Sequence, residues 1–194
     1  MPPPAIGSYA GRMRTLTTAR LELRPWDARF EDDFLRLASD ERVTRFIGDG
    51  RPWSRERVAE RHREHLEHWA RHGYGWRAIH HDGDFAGVAA LNRLGSLVPG
   101  IEESALEIGW WIDPRWWGRG FATEAALALR DEAFADLGAE RIAARYQPAN
   151  TGSERVMIKI GMRRHSDTVG RVGEPVRVYE LSRPDWLALP DQEV

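Results

Sequence analysis

Between Ala105 and Gln147 the chain reads strand, turn, helix, turn, strand, and that order leaves few folds open. "ALEIGWWI" is an apolar strand-like run, and "DPRWWGRG" then crowds tryptophans and glycines into a turn. From about Ala122 to Leu137, Ala122, Ala126, Leu129, Ala133 and Leu137 recur on one helical face, with Glu124 and Asp131 opposite. Gly138 ends that helix. "ERIAARYQ" then sets Ile142, Ala144 and Tyr146 against Arg141, Ala143 and Arg145, the period of two that a strand requires. Two strands joined through a helix pair in parallel, because the crossover returns the chain to the same end of the sheet.

The flanks make the sheet mixed. "TARLELRPW" alternates Leu21 and Leu23 with Glu22 and Arg24, as a half-buried strand does. Asp27 caps a helix carrying Phe30, Phe34 and Leu37, and Ser54 opens a second helical region through Val58, Leu66 and Trp69 that stops near Gly73. "GWRAIHH" and "FAGVAALNRL" flank Asp82-Gly83, a strong signal for a tight antiparallel hairpin. After Tyr146, Asn150 or Thr151 starts a short helix that stops at Gly161, and "EPVRVYELSR" supplies a last strand. The expectation is one α/β (mixed α+β) domain: a mostly antiparallel sheet of six or seven strands, with helices on both faces. Residues 1–13, rich in Pro, Gly and small side chains, read as a flexible leader, and 14–194 as the domain.

Composition excludes several chemistries. There is no cysteine, so disulfides, a thiolate nucleophile and cysteine-based metal sites are ruled out. The net charge of −2 offers no global field for nucleic acid or an anionic membrane. The amino terminus lacks the apolar core of a signal peptide and no segment reaches membrane-spanning length, so a cytoplasmic location is expected. His62, His65, His68 and His72 recur at helical spacing, but arginines crowd them and no His-Glu-x-x-His is present. They read as a solvated face, with no metal site.

Gly118 and Gly120 stand immediately before the long helix. A helix start presents amides without intrahelical partners, and glycine lets an anion approach them with no Cβ in the way. A tight strand-to-helix turn is the plainer account of the same residues. Two nucleotide loops fail: no Gly-Lys-Ser/Thr is present, and the third glycine of a dinucleotide fingerprint is replaced by Thr123.

The segment Ile112-x-Pro114-x-x-Trp117-Gly118-Arg119-Gly120-Phe121-Ala122 closely resembles the acetyl-CoA loop of the GNAT N-acetyltransferase superfamily. Trp117 stands where most members carry Gln or Arg, and "WGRGFATEA" looks like the version in the RimJ/RimL-like branch. "TARLELRPW" and "PANTGSERVMIKIGM" resemble that branch's first strand and second motif, extending the likeness from about Thr17 to Trp186. The resemblance implies transfer of an acetyl group from acetyl-CoA directly to a primary amine, on a small molecule or a protein amino terminus. It implies splayed central strands, and by analogy a homodimer.

It also implies roles. Trp117, Gly118, Arg119, Gly120, Phe121, Ala122 and Thr123 would hold the pyrophosphate, and Trp110, Trp111 and Ile112 would pair with pantetheine along a strand edge. Asn150 and Ser153 would complete the cofactor site, although either also suits a helix cap. Glu107, on the strand face of Gly109 and Trp111, is the candidate general base, its carboxyl expected beside apolar aromatics, with Glu102 and Glu103 in reserve. A family tyrosine that serves as acid is replaced here by Met157, which leaves Ser153 as the candidate acid. That loss also supports a second expectation, a degenerate member that binds acetyl-CoA or CoA as a sensor or partner-binding module.

Overall fold

The computed structural model describes residues 14–94, 98–170 and 172–190; the expected leader lies outside them. Eight strands form one sheet: β1 (Leu16–Thr17), β2 (Glu22–Pro25), β3 (Trp76–His81), β4 (Asp84–Arg93), β5 (Leu106–Ile112), β6 (Arg141–Tyr146), β7 (Arg163–Val169) and β8 (Pro175–Ser182). Their order is β1-β2-β3-β4-β5-β6-β8-β7. Every neighbouring pair is antiparallel except β5 and β6, the two strands joined by the crossover. The sequence reading lacked β1 and β7. β1 has only two residues, and β7 is a polar edge strand whose residues are exposed or half-buried, so it carries no buried stripe.

The local signals explain the elements. Asp82 and Gly83 both have positive φ, 51° and 87°, the backbone of a type I′ hairpin joining β3 to β4. The side chain of Ser54 accepts from the Arg57 amide at the start of α3 (Arg55–His72), and Gly73, in the left-handed conformation, ends it. Asp27 caps a short 3₁₀ turn that leads into α1 (Glu31–Ala38), and Asp40 caps α2 (Glu41–Thr44). The crossover helix α4 (Phe121–Asp131) runs on through a π-type turn to Asp136. α5 (Thr151–Lys159) and the short α6 (Arg183–Leu187) follow β6 and β8.

The sheet separates two cores. On one face Phe34, Leu37, Val58 and Trp69 of α1 and α3 pack with Trp76, Ala78 and Val88. On the other Phe121, Ala125 and Leu129 of α4 and Val156 and Met157 of α5 pack with Ile79, Ala89, Ile108 and Ile142. β5 serves both: Leu106, Ile108 and Ile112 turn to the α4 side, while Trp111 turns to the α1–α3 side. No helix among the described residues is long and apolar enough to cross a membrane.

Candidate active site

β5 and β6 pair only at Leu106 with Ile142 and Glu107 with Ala143. Beyond Glu107 the strands part, so from Ile108 to Ile112 β5 keeps a partner only on the β4 side. The gap opens a cleft of about 1080 Å³ that passes from the start of α4 to the region of α2 and α3. A parted strand edge exposes backbone groups with the spacing that an extended amide chain can pair with.

At one end of the cleft α4 begins without a cap. Asp27, Asp40, Ser54, Asn150 and Ser182 each supply a side-chain acceptor at the start of a helical segment, but Gly120 supplies none. The amides from Gly118 to Thr123 have no acceptor among the described residues. Gly118 and Gly120 have φ of 76° and 81°, which L side chains rarely adopt, and a Cβ on Gly118 would meet only open space. An anion therefore finds unpartnered donors and an unobstructed approach here.

The loop is fixed from behind by groups that local patterns do not reveal. Glu124, buried in the first turn of α4, accepts from Thr18 Oγ1 (2.6 Å), the Arg20 amide (2.8 Å) and Arg20 Nε (2.8 Å). These donors hold its carboxyl below the usual range against the opposing effect of burial. Arg20 Nη1 also donates to the Arg119 carbonyl (2.9 Å), tying the loop to the segment before β2. The Arg119 guanidinium lies over the Trp116 ring, 4.8 Å from its centroid, and does not line the cleft. Of the expected cofactor residues Arg119 is the one whose side chain turns away from the cleft, which leaves its backbone amide as its part in the loop.

The other expected cofactor residues, Trp110, Trp111, Ile112, Trp117, Gly118, Gly120, Phe121, Ala122, Thr123, Asn150 and Ser153, all line the cleft. Trp117 Nε1 donates to the Ile112 carbonyl (2.7 Å), tying the loop to the end of β5. Asn150 Oδ1 accepts from the Ser153 amide (3.2 Å) and so caps α5. That settles which residue caps: the Ser153 hydroxyl has no hydrogen-bond partner among the described residues. Met157 is buried in the cleft wall.

Glu107 also lines the cleft, but not in the apolar setting expected of it. Arg145, on the next strand, donates Nε to one carboxylate oxygen (2.8 Å) and Nη2 to the other (2.7 Å). A bidentate guanidinium occupies two of the roughly four lone-pair positions of a carboxylate and leaves the others to a ligand or water. Glu102 pairs with Arg141, and neither it nor Glu103 reaches the cleft.

The histidines overturn the solvated-face reading. His62 Nδ1 accepts from Trp26 Nε1 (3.0 Å) in the core. His65 stacks on Trp76 with centroids 3.9 Å apart and planes 17° from parallel. His68 packs edge-on to Tyr74. Burial, aided by neighbouring cations, pushes His65 down to about 3 and His68 down to about 4. Both remain neutral in the fold and line the cleft beside Trp53 and Trp76. Among the described residues no three His, Cys, Asp or Glu converge as a metal site.

Those depressed values predict acid sensitivity. As pH falls below about 6.5 the unfolded imidazoles take up protons while the folded ones do not, so stability present above 6.5 is lost on the way down to 4 and then 3. For His65 the loss is at most about 2 kcal/mol between pH 6.5 and 5. Urea unfolding at pH 7.5, 6 and 5 should show this fall, and a His65→Phe chain, which keeps a ring on Trp76, should lack a large part of it. Identical pH slopes for the two chains would refute the assignment.

The chain is similar to known proteins over most of its length. A family model described as an acetyltransferase (GNAT) domain matches residues 20–163. The FsC-acetyl coenzyme A-N(2)-transacetylase of Aspergillus fumigatus is 26% identical over 195 residues, covering 90% of this chain and 79% of that protein. A crystal structure of an acetyltransferase from Agrobacterium tumefaciens is 29% identical and superimposes with a TM-score of 0.73 over 87% of this chain and 94% of its own. The fold is also that of RimL, a ribosomal L7/L12 alpha-N-protein acetyltransferase solved with coenzyme A, at a TM-score of 0.72, 18% identity, and coverage of 87% and 98%.

Proposed function

Because this chain belongs to the GNAT acetyltransferase family and transfers acetyl from acetyl-CoA to an amine, we propose that the cleft between β5 and β6 is where donor and acceptor meet. The observation that carries this reading is the uncapped start of α4, with donors unused from Gly118 to Thr123, beside a strand edge that has lost its partner. The loop amides take the pyrophosphate. The free edge from Trp110 to Ile112 takes the pantetheine amides, and its N–H groups polarise the reacting carbonyl.

The donor supplies a thioester whose carbonyl carbon accepts the amine and whose sulfur departs. Glu107 accepts the proton that the amine must lose, through a lone pair that Arg145 does not occupy, and Arg145 holds the carboxylate in place. Ser153 offers its unpartnered hydroxyl as the proton source for the departing sulfur, in place of the phenol that Met157 does not provide. The acceptor is a primary amine, a class that includes both small molecules and protein amino termini.

A Glu107→Gln chain is expected to lose about 100-fold in kcat/KM at neutral pH, chiefly through kcat. Steady-state kinetics with acetyl-CoA and a primary amine test this. A higher KM with kcat retained would make Glu107 an orienting group instead. Unchanged turnover would remove it from the chemistry.

A further inference from the structure

The charges lining the cleft are unevenly placed. Its cofactor end, from Trp116 to Thr123 and from Asn150 to Met157, contributes no charged lining side chain. Every charged lining residue lies elsewhere, on the α2–α3 region, β4, β6 and their neighbours, and each is an arginine or a glutamate. On the acetyltransferase reading the loop amides serve the pyrophosphate, and the guanidinium groups lie away from that end of the cleft, where the acceptor enters.

Pairing cancels only part of it. Arg61 pairs with Glu64 (2.6 Å) and Arg145 with Glu107 (2.7 Å). Arg42 turns to Asp40, the cap of its own helix (2.6 Å). Glu174 accepts from the Val172 amide in its own turn (3.0 Å). Arg57 has Asp49 no nearer than 3.9 Å, and its guanidinium lies over the Trp53 ring, 4.2 Å from the centroid. Arg45 rests on Phe46 at 4.4 Å, and neither it nor Arg93, which stands by His68 and His72, forms an ion pair among the described residues.

Arg57 borders an apolar wall through Trp53, and Arg45 lines the same cleft beside Phe46. Trp111 meets Trp53 at 5.0 Å and Trp76 at 5.4 Å, and His65 stacks behind Trp76. Arg57 stands beside Gly48, whose carbonyl accepts from Gln147 (3.0 Å), so the arginine corner is tied to the end of β6 two residues past Arg145. A guanidinium on an aromatic face keeps its in-plane donors directed outward, where they match a carboxylate.

We propose that the acceptor is an amine that carries a carboxylate, which Arg57 and Arg45 receive while its apolar body lies on the Trp53–Trp76–Trp111 wall. The inference rests on the acetyltransferase reading and adds the acceptor's chemistry to it. A polyamine or other polycationic acceptor meets like charge here and is disfavoured. The carboxylate belongs to a free amino acid or to the acidic amino-terminal segment of a polypeptide.

The test uses the purified full chain. Calorimetry with acetyl-CoA first establishes donor binding, and its absence would sink the underlying reading independently of the acceptor. Phenylalanine, phenylalaninamide and phenethylamine are then compared as acceptors, together with peptides beginning Phe-Asp-Glu and Phe-Lys-Lys. Binding of each probe to the CoA-saturated protein is followed by saturation-transfer NMR. The carboxylate-bearing probe of at least one set should exceed its partners at least 10-fold in kcat/KM, chiefly through KM, and bind tighter by a similar factor. Preference within the first set identifies a free amino acid, and preference only between the peptides identifies a polypeptide. In an Arg45→Gln/Arg57→Gln chain the preference should fall below threefold while the acetyl-CoA heat is retained. Equal or better use of the uncharged or cationic probes, no carboxylate-dependent binding, or an undiminished preference in the double variant would overturn the proposal.

Discussion

A Gly120→Glu chain is expected to bind acetyl-CoA at least about 100-fold more weakly than the wild type, a loss of about 2.7 kcal/mol. Two effects act together. Gly120 sits at φ 81°, where any other residue adds strain of about 1–2 kcal/mol. The new carboxylate would also compete for the amides that α4 leaves unpartnered, and its charge would oppose the pyrophosphate. Strain alone is separated from the anion site by Gly83→Glu. Gly83 has a similar φ of 87° and open space at its Cβ, but belongs to the β3–β4 hairpin. Titration calorimetry should find acetyl-CoA affinity unchanged in that control and lost in Gly120→Glu. Affinity within threefold of wild type for both would detach the pyrophosphate from this loop.

The same loop shows where sequence reading reaches and where it stops. Ser54, Gly73, Asp82, Gly83 and Gly138 each act within a few residues of themselves, so the turns they specify are readable one window at a time. The strand gap is not readable in that way. It depends on β5 and β6 pairing at only two positions, and family likeness was needed to expect it. Long-range partners were invisible for the same reason. Arg20 reaches Glu124 across 104 positions and Arg145 reaches Glu107 across 38, and nothing near either carboxylate announces its guanidinium. The histidines failed differently. Their helical spacing was correctly seen, but the polar residues around them hid that His62 and His65 face Trp26 and Trp76. A count of charges on a helix does not say which face meets a sheet.

The largest stability effect is expected at a pair far from the chemistry. Arg77 on β3 is wholly buried. Its Nε donates to Glu132 Oε2 (3.1 Å), Nη2 donates to the other oxygen, and Nη1 serves the carbonyls of Arg14 (2.8 Å) and Leu23 (3.3 Å). Glu132 opens the π-type turn that continues α4, so this pair ties to the sheet the far end of the helix whose start is the proposed anion site. Arg77→Ala would leave a buried carboxylate without its counter-charge, a cost of about 3–5 kcal/mol. Against a typical total of about 5–15 kcal/mol that brings the chain close to unfolding at ordinary temperature. An Arg77→Met/Glu132→Leu chain removes both charges and should recover to within about 2 kcal/mol of wild type in urea unfolding at pH 7. A single variant costing less than about 1 kcal/mol would show that the pair is not the anchor proposed. Saturating acetyl-CoA gives the last discrimination, because a ligand that binds only the folded chain stabilises it by about 2.7 kcal/mol at 100 times its Kd. If Arg77→Ala spares the start of α4, acetyl-CoA should restore that amount. If the whole helix shifts, affinity falls with stability and the rescue is lost.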